Sequence, residues 1–232
     1  MNPQQKTALI TGANRGIGHE TAKQLKQQGL NVILSARDPQ KGQTTATELG
    51  VDFLQMDVSD ENSITTAAKE YKTRFGHSLD ILINNAGIFP DQEKSILETT
   101  AELINQALLT NTTGPILATQ HFLPLLENSK EGARIINISS KLGQLSTMID
   151  TAPAYSISKT ALNAVTRQLA AALKHKNISV NAVSPGWVRT DMGGQNADLS
   201  VQEGADSITW LATQAPQSLT GTFVRDREQI EW

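Results

Sequence analysis

A tyrosine followed four residues later by a lysine, Tyr155-Ser-Ile-Ser-Lys159, opens an apolar-periodic segment that runs to about Leu173. On a helix, residues four apart share a face, so a phenol and an ammonium would stand side by side. The positive charge favours the phenolate and would draw a phenol with a free pKa of about 10 toward neutrality. Such a group can protonate a carbonyl oxygen or take a proton from an alcohol. A second stretch, Gly12-Ala-Asn-Arg-Gly16-Ile-Gly18, has a different capacity. Glycines there let the backbone approach a pyrophosphate, and the amides and positive dipole end of a following helix would bind it.

The elements that must position these groups can be traced in order. Thr7 to Thr11 reads as a short buried strand running into the glycine turn. A polar helix follows, ended by Gly29, and then a second buried strand from Asn31 to Ala36. This is a βαβ unit with a glycine-rich first turn, the layout of a dinucleotide-binding half. Further strands are expected at Asp52–Val58, Leu79–Ile83, Arg134–Ser139, Ile178–Val183 and Thr222–Val224. Helices are expected at Ile64–Phe75, with one apolar stripe, at Ala101–Leu126 and at Val201–Thr213. The Ala101 helix should be interrupted between Asn111 and Pro115, because Gly114 and Pro115 disfavour regular helix. Pro90 to Thr99 reads as a loop over the carboxyl edge, too charged for core. Alternating strands and helices predict one domain over residues 1–232, a doubly wound, Rossmann-type α/β fold. Its mostly parallel sheet would have about seven strands, with helices on both faces.

In such a sheet, ligands bind outside the carboxyl ends of the strands. The residues collected there are Gly12 to Gly18, Arg37, Asp57, Asn85 to Gly87, Ser139 and Ser140, and Pro185 to Thr190. Six strand ends carrying small or polar residues point to a site more strongly than any single motif. The composition fits a globular chain of 232 residues, with 38% hydrophobic and 19% charged residues. A net charge of −3 without a basic cluster argues against nucleic acid or an anionic membrane as partner. The chain has no cysteine, which excludes thiolate chemistry and disulfides and suits a reducing cytosol. The polar start, Met1 to Gln5, and the lack of a membrane-length apolar run make a cytoplasmic location the expectation. His19, His77, His121 and His175 have no metal-ligand spacing and no nucleophilic partner, so no metal site is expected.

These motifs in this order resemble the short-chain dehydrogenase/reductase family over the whole chain. The resemblance rests on Thr11-Gly-Ala-Asn-Arg-Gly-Ile-Gly18, Asn84-Asn-Ala-Gly87, Tyr155-x-x-x-Lys159 and Pro185-Gly186 with Thr190. Within the family the chain is most similar to carbonyl reductases. The shared features are Ala36-Arg-Asp38 with Gly42-Gln43, Pro185-Gly-Trp-Val-Arg-Thr-Asp-Met-Gly193, Gln202-Glu-Gly-Ala205 and the closing Phe223-Val224 and Trp232. The resemblance implies NADPH-dependent reduction of a ketone or aldehyde by a tetrad. Tyr155 would be the acid in reduction, Lys159 would tune it and hold the ribose, and Ser140 would bind the substrate oxygen. Asn111 would position a water that relays protons to Lys159. Ser140 is preferred to Ser139 because the family's active serine is the second of the pair. It lies fifteen residues before Tyr155, farther than in many members, so Lys141 to Pro153 is expected to bulge.

Charge bears on the cofactor. A 2′-phosphate needs cations, whereas a 2′-hydroxyl favours an acid at the end of the second strand. Members using NAD commonly carry aspartate where Ala36 stands; here Arg37 follows it and Arg15 lies in the glycine turn, two forks suited to phosphate. Asp38 is the contrary sign, and NADP is the cofactor expected. The resemblance further implies Gly12, Asn14, Arg15, Gly16, Ile17 and Gly18 at the phosphates, and Asp57 and Val58 at the adenine. Asn85, Ala86 and Gly87 would meet the adenosine ribose, with Pro185, Gly186, Val188 and Thr190 near the nicotinamide. Phe89, Leu142, Trp187 and Met192 are candidates for an apolar substrate wall. A 3-oxoacyl-carrier-protein reductase, an alcohol dehydrogenase or a non-catalytic NADP-binding sensor are the alternatives. The short segment before Tyr155 leaves helix faces free to pair, so a homodimer or homotetramer is expected.

Overall fold

The computed structural model describes residues 5–232; Met1 to Gln4, most of the polar start, lie outside the described residues. Eight strands form one sheet in the order β3-β2-β1-β4-β5-β6-β7-β8. They are β1 (Thr7–Ile10), β2 (Asn31–Ala36), β3 (Asp52–Gln55), β4 (Ile81–Asn84), β5 (Ala133–Ile138), β6 (Ile178–Val183), β7 (Phe223–Arg225) and β8 (Glu228–Ile230). β1 to β7 pair in parallel, and β8 folds back antiparallel on β7. The strand order reverses between β1 and β4, and there the site opens. The expected single Rossmann-type domain with helices on both faces is what the chain adopts, with eight strands rather than about seven.

The period-two alternation of side chains divides the core. Ala8 and Ile10 of β1 join the cluster under α1 (Gly16–Gln27) and α7 (Val201–Thr213). Leu9 points the other way, into the cluster under α3 (Glu61–Phe75), α5 (Gly114–Leu126) and α6 (Pro153–Leu173). Both faces are therefore dry, as a parallel sheet requires. No helix among the described residues is long and apolar enough to cross a membrane.

Two elements differ from expectation, each for a local reason, and a third breaks as expected. Helix α2 (Pro39–Leu49) fills a stretch where the sequence reading assigns nothing. Its buried positions are Gly42, Thr45 and Ala46, so no large apolar stripe announces it. β3 stops at Gln55 rather than Val58, because its neighbour β2 ends at Ala36, the partner of Gln55. The long helix breaks into α4 (Ala101–Leu108), a π segment (Leu109–Thr113) and α5. The break falls where Gly114 and Pro115 placed it.

Candidate functional site

The glycine turn after β1 is built against the turn after β4. The Thr11 hydroxyl accepts the amides of Asn85 (3.0 Å) and Ala86 (2.9 Å), while Asn85 Nδ2 donates back to the carbonyls of Thr11 (2.8 Å) and Gly12 (3.0 Å). A Cβ on Gly12 would lie 2.8 Å from the Ala86 Cα, and one on Gly18 would lie 2.4 Å from Asn85 Nδ2. Neither position accepts a side chain. Asn85 thus spends its amide on shaping the turn, leaving the backbone of Ala86 and Gly87 toward the cleft. Arg15 precedes the first turn of α1 with extended backbone and no capping side chain, so the helix head faces the cleft with its own amides. Opposite, the loop after β6 brings Thr190 Cγ2 to 3.5 Å from where a Gly16 Cβ would stand. Val188 is buried beside it, and Gly186 turns the chain at φ 84° just after Pro185. Arg15 reaches across to Asp191 at 2.8 Å, both side chains exposed. A narrow, glycine-walled groove with a helix N-terminus at its base suits a dinucleotide pyrophosphate.

At the adenosine end, Ala36 is buried and Arg37 is exposed. Asp38, the acid that argues against a 2′-phosphate, caps α2, accepting the amides of Gln40 (3.0 Å) and Lys41 (3.1 Å). Asn14, Arg15, Lys41 and Thr44 border one depression, together with Glu48. Asp57 accepts the amide and hydroxyl of Ser59, and the carbonyl of Val58 would stand 2.7 Å from a Cβ on Gly114. Ile17 is half-buried in the first turn of α1.

The catalytic candidates converge across the sheet edge. Tyr155 and Lys159 occupy one buried face of α6, the ammonium 5.5 Å from the centre of the phenol ring. Lys159 Nζ donates to the Ile138 carbonyl at 2.7 Å. Tyr155 shares a hydrogen bond with the Ser140 hydroxyl, and its ring lies 4.3 Å from that of Phe89. Ser139 is turned inward, donating to Asn163 Oδ1 at 2.6 Å. Of the two serines, Ser140 is the one that meets the phenol. The segment before Tyr155 folds into two short 3-10 turns, Lys141–Gly143 and Leu145–Thr147. Gly143 docks the first of them: its carbonyl accepts from Thr160 Oγ1 (3.0 Å) and Asn163 Nδ2 (3.2 Å). A Cβ there would lie 2.7 Å from the Lys159 carbonyl carbon.

The charge balance differs from the sequence expectation. Burial pushes the Tyr155 phenol up to about 12, opposed in part by the Ser140 hydrogen bond. Burial also lowers the Lys159 ammonium to about 8. Four-residue spacing gives proximity but says nothing about solvent, and burial disfavours the phenolate. Asn111 lies in the π segment, fully buried. Its amide donates to the Ile88 carbonyl and to Ser158 Oγ, both at 2.9 Å, and its oxygen accepts the Ile88 amide at 2.8 Å. Asn111 thus has both amide hydrogens and one lone pair of its side-chain oxygen taken by the protein. Its carbonyl is different: an α-helical donor for it would be the nitrogen of Pro115, which carries no hydrogen.

Phe89 packs on Tyr155, and Trp187 and Met192 stand half-exposed at the mouth, the indole fixed to the Gly193 carbonyl at 2.8 Å. No cluster of metal-ligating side chains occurs among the described residues. Sequence reasoning missed Asp91, Gly143, Ser158 and Asn163. Gly143 gave one readable signal, an isolated glycine between the serine and the tyrosine.

Comparison with known proteins agrees with this geometry. The family model described as short chain dehydrogenase matches residues 6–199. (+)-Neomenthol dehydrogenase of Arabidopsis thaliana is 34% identical, the alignment covering 96% of both chains. Carbonyl reductase [NADPH] 1 of Mus musculus is 28% identical, with both chains covered in full. The crystal structure of NADPH-bound carbonyl reductase from chicken fatty liver superposes with a TM-score of 0.90 at 31% identity, covering 98% of this chain and 99% of that one. A glycine turn locked to the strand beyond the switch point, with a buried tyrosine and lysine facing it, thus stands in a chain that belongs to the short-chain dehydrogenase/reductase family of oxidoreductases and is most similar to its carbonyl reductases.

Proposed function

We propose that this protein is an NADPH-dependent carbonyl reductase acting on uncharged, apolar ketones or aldehydes. The observation that carries the reading is geometric: the Tyr155 phenol is buried at the head of α6, with the Lys159 ammonium 5.5 Å from its ring and the Ser140 hydroxyl as its hydrogen-bond partner. A protonated phenol so placed can give its proton to a carbonyl oxygen. Bound in the glycine-walled groove, a nicotinamide nucleotide supplies the hydride. Ser140 then holds the substrate oxygen, and Tyr155 gives it the proton. Lys159 stabilises the phenolate left behind and reaches the ribose side past Gly87, whose Cβ would stand 3.6 Å from Nζ. Asn111 lends its carbonyl to a water that returns a proton through Lys159.

Preference for NADP is supported by Ala36 at the end of β2, by Arg15, Arg37 and Lys41 nearby, and by the use of Asp38 as a helix cap. The neighbouring structure carrying NADPH supports it too. The substrate class follows from the rim. Among the described residues, the exposed large hydrophobics other than Leu109 and Ile157 are Ile96, Leu97, Leu145, Met148, Ile149, Trp187 and Met192. All seven lie on the loops after β4, β5 and β6, which are adjacent strands. The cations of these loops are few, and Arg189 is committed to the carbonyls of Ala197 and Asp198. A rim of this kind favours an apolar molecule over an acyl group on an acidic carrier. A cytoplasmic homo-oligomer completes the proposal.

Four outcomes test this reading. Purified protein should oxidise NADPH, followed by absorbance, with alicyclic or aromatic ketones in preference to oxo acids, and Tyr155→Phe should lose at least about a hundredfold in kcat while binding NADPH unchanged. Oxidation with no member of the panel would leave a nucleotide-binding protein without turnover. Arg37→Ala should raise the Kd for NADPH about tenfold and leave NADH alone; equal losses would undo the cofactor argument. Between the folded Lys159 pKa of about 8 and the free value of about 10.4, only the unfolded chain holds the proton, so stability should rise with pH. Cofactor-free protein should accordingly gain stability from about pH 8 to 10 relative to Lys159→Met, with Tyr155 opposing only above about pH 10; parallel curves would contradict the burial argument. Light scattering at micromolar concentration should give a dimer or tetramer mass, and a monomer mass would overturn the assembly.

A further inference from the structure

The head of the Tyr155 helix is held by a residue that the charged β4–α4 loop conceals. Asp91 is 1% exposed. The first amides of a helix have no partner within it and are commonly served by a side-chain oxygen on the residue before the first turn. In α6 that residue is Ala152, in left-handed backbone at φ 50° and with no oxygen to offer. Pro153 removes one of the unpaired amides. The next two belong to Ala154 and Tyr155 itself, and both donate to Asp91, at 2.6 Å to Oδ2 and 3.2 Å to Oδ1. The amide of Ala152 goes to the Lys94 carbonyl at 3.1 Å, and that of Ser156 begins the helix's own ladder. The leading amides are thus accounted for by one loop, distant in sequence. The same loop carries Phe89, whose ring lies against Tyr155.

We propose that Asp91 is a positioning residue for the Tyr155 proton donor, replacing the cap that Ala152 cannot provide. The inference rests on the reading of Tyr155 as that donor. Asp91 touches neither substrate nor cofactor; it fixes the main chain from which the phenol extends. Charge-assisted bonds from a carboxylate to two successive amides are stiff and directional. Displacement of a reacting group by about 1 Å can cost on the order of a hundredfold in rate. A cap on the residue's own backbone therefore acts on kcat, while the groove that binds the nucleotide, on the far side of β4, is left as it was.

Asp91→Ala and the isosteric Asp91→Asn test this, with kcat expressed per NADPH-binding site so that unfolded protein does not count. The alanine variant should lose about a hundredfold in kcat and the asparagine, which keeps one acceptor, about tenfold, with the Kd for NADPH unchanged. In a Tyr155→Phe background, Asp91→Ala should cost nothing further, because both changes remove the same event. Several results would overturn the proposal: kcat per site within about twofold of wild type despite a lower Tm, a rise in ketone KM alone, additive losses in the double variant, or failure of both variants to fold, which would make Asp91 a folding determinant. Retained turnover in Tyr155→Phe would instead defeat the reading of the site, and is a separate result from any of these.

Discussion

The arrangement depends on a buried lysine. Lys159 lies beneath the sheet edge, where its ammonium has one protein acceptor, the carbonyl of Ile138. Removing an ammonium from water costs several kcal/mol, and one hydrogen bond to a carbonyl repays about 1.5–3 kcal/mol. The difference appears as the lowered pKa. The same dryness acts on Tyr155 in the opposite direction, favouring the neutral phenol. Both residues are thus held nearer to neutrality than their positions on an open helix would allow. What the pair can do is set by how closely α6 seats on the end of β5, and that seating is controlled by Gly143, whose missing Cβ lets the turn after Ser140 lie on the Lys159 backbone.

The π segment performs a comparable task for the neighbouring helix. Inserting a wider turn is unfavourable in a plain helix and is found mostly at functional positions. Here it carries Asn111 inward, where the amide joins Ile88 of the β4 loop to Ser158 of α6. Ser158 in turn donates to the Tyr155 carbonyl at 2.7 Å, and its own carbonyl accepts from Thr112 at 2.8 Å. The π segment, the β4 loop and α6 share one buried polar junction. Gly114 permits it by letting α5 begin against the Val58 carbonyl. A larger residue would push the segment away from the sheet and loosen every member of the junction.

Much of this was legible in the sequence where burial and residue type coincide. Runs such as Asn31–Ala36 and Ile178–Val183 can only be dry strands, and the glycine spacing after β1 has few other uses. α2 was illegible because it packs through Gly42, Thr45 and Ala46. The loop at Pro90 to Thr99 is a surface loop as read, yet Asp91 within it is buried, because composition averages over neighbours and cannot single out the carboxylate that turns inward. Asp38 shows the converse: its sign was ambiguous until the unexpected helix supplied amides for it to cap. The direction in which the Tyr155 pKa moves was hidden for a related reason, since spacing along a helix fixes distance but not burial.

The two halves of the site differ in how firmly they are made. At the pyrophosphate groove, Thr11, Gly12, Asn85 and Ala86 are joined by four hydrogen bonds between neighbouring strand ends. That shape exists before any ligand arrives and costs nothing to form on binding. The cations are different. Arg15 pairs with Asp191 across the groove with both side chains exposed, and pairs of that kind contribute about 0–1 kcal/mol. A phosphate with two charges competes easily with one solvated carboxylate for a guanidinium. The backbone therefore supplies the fixed template, while Arg15 is held only by a solvated pair. The exposed cations are thus the part of the site that is cheapest to rearrange, whereas Tyr155, buried on α6, is the part that is hardest to move.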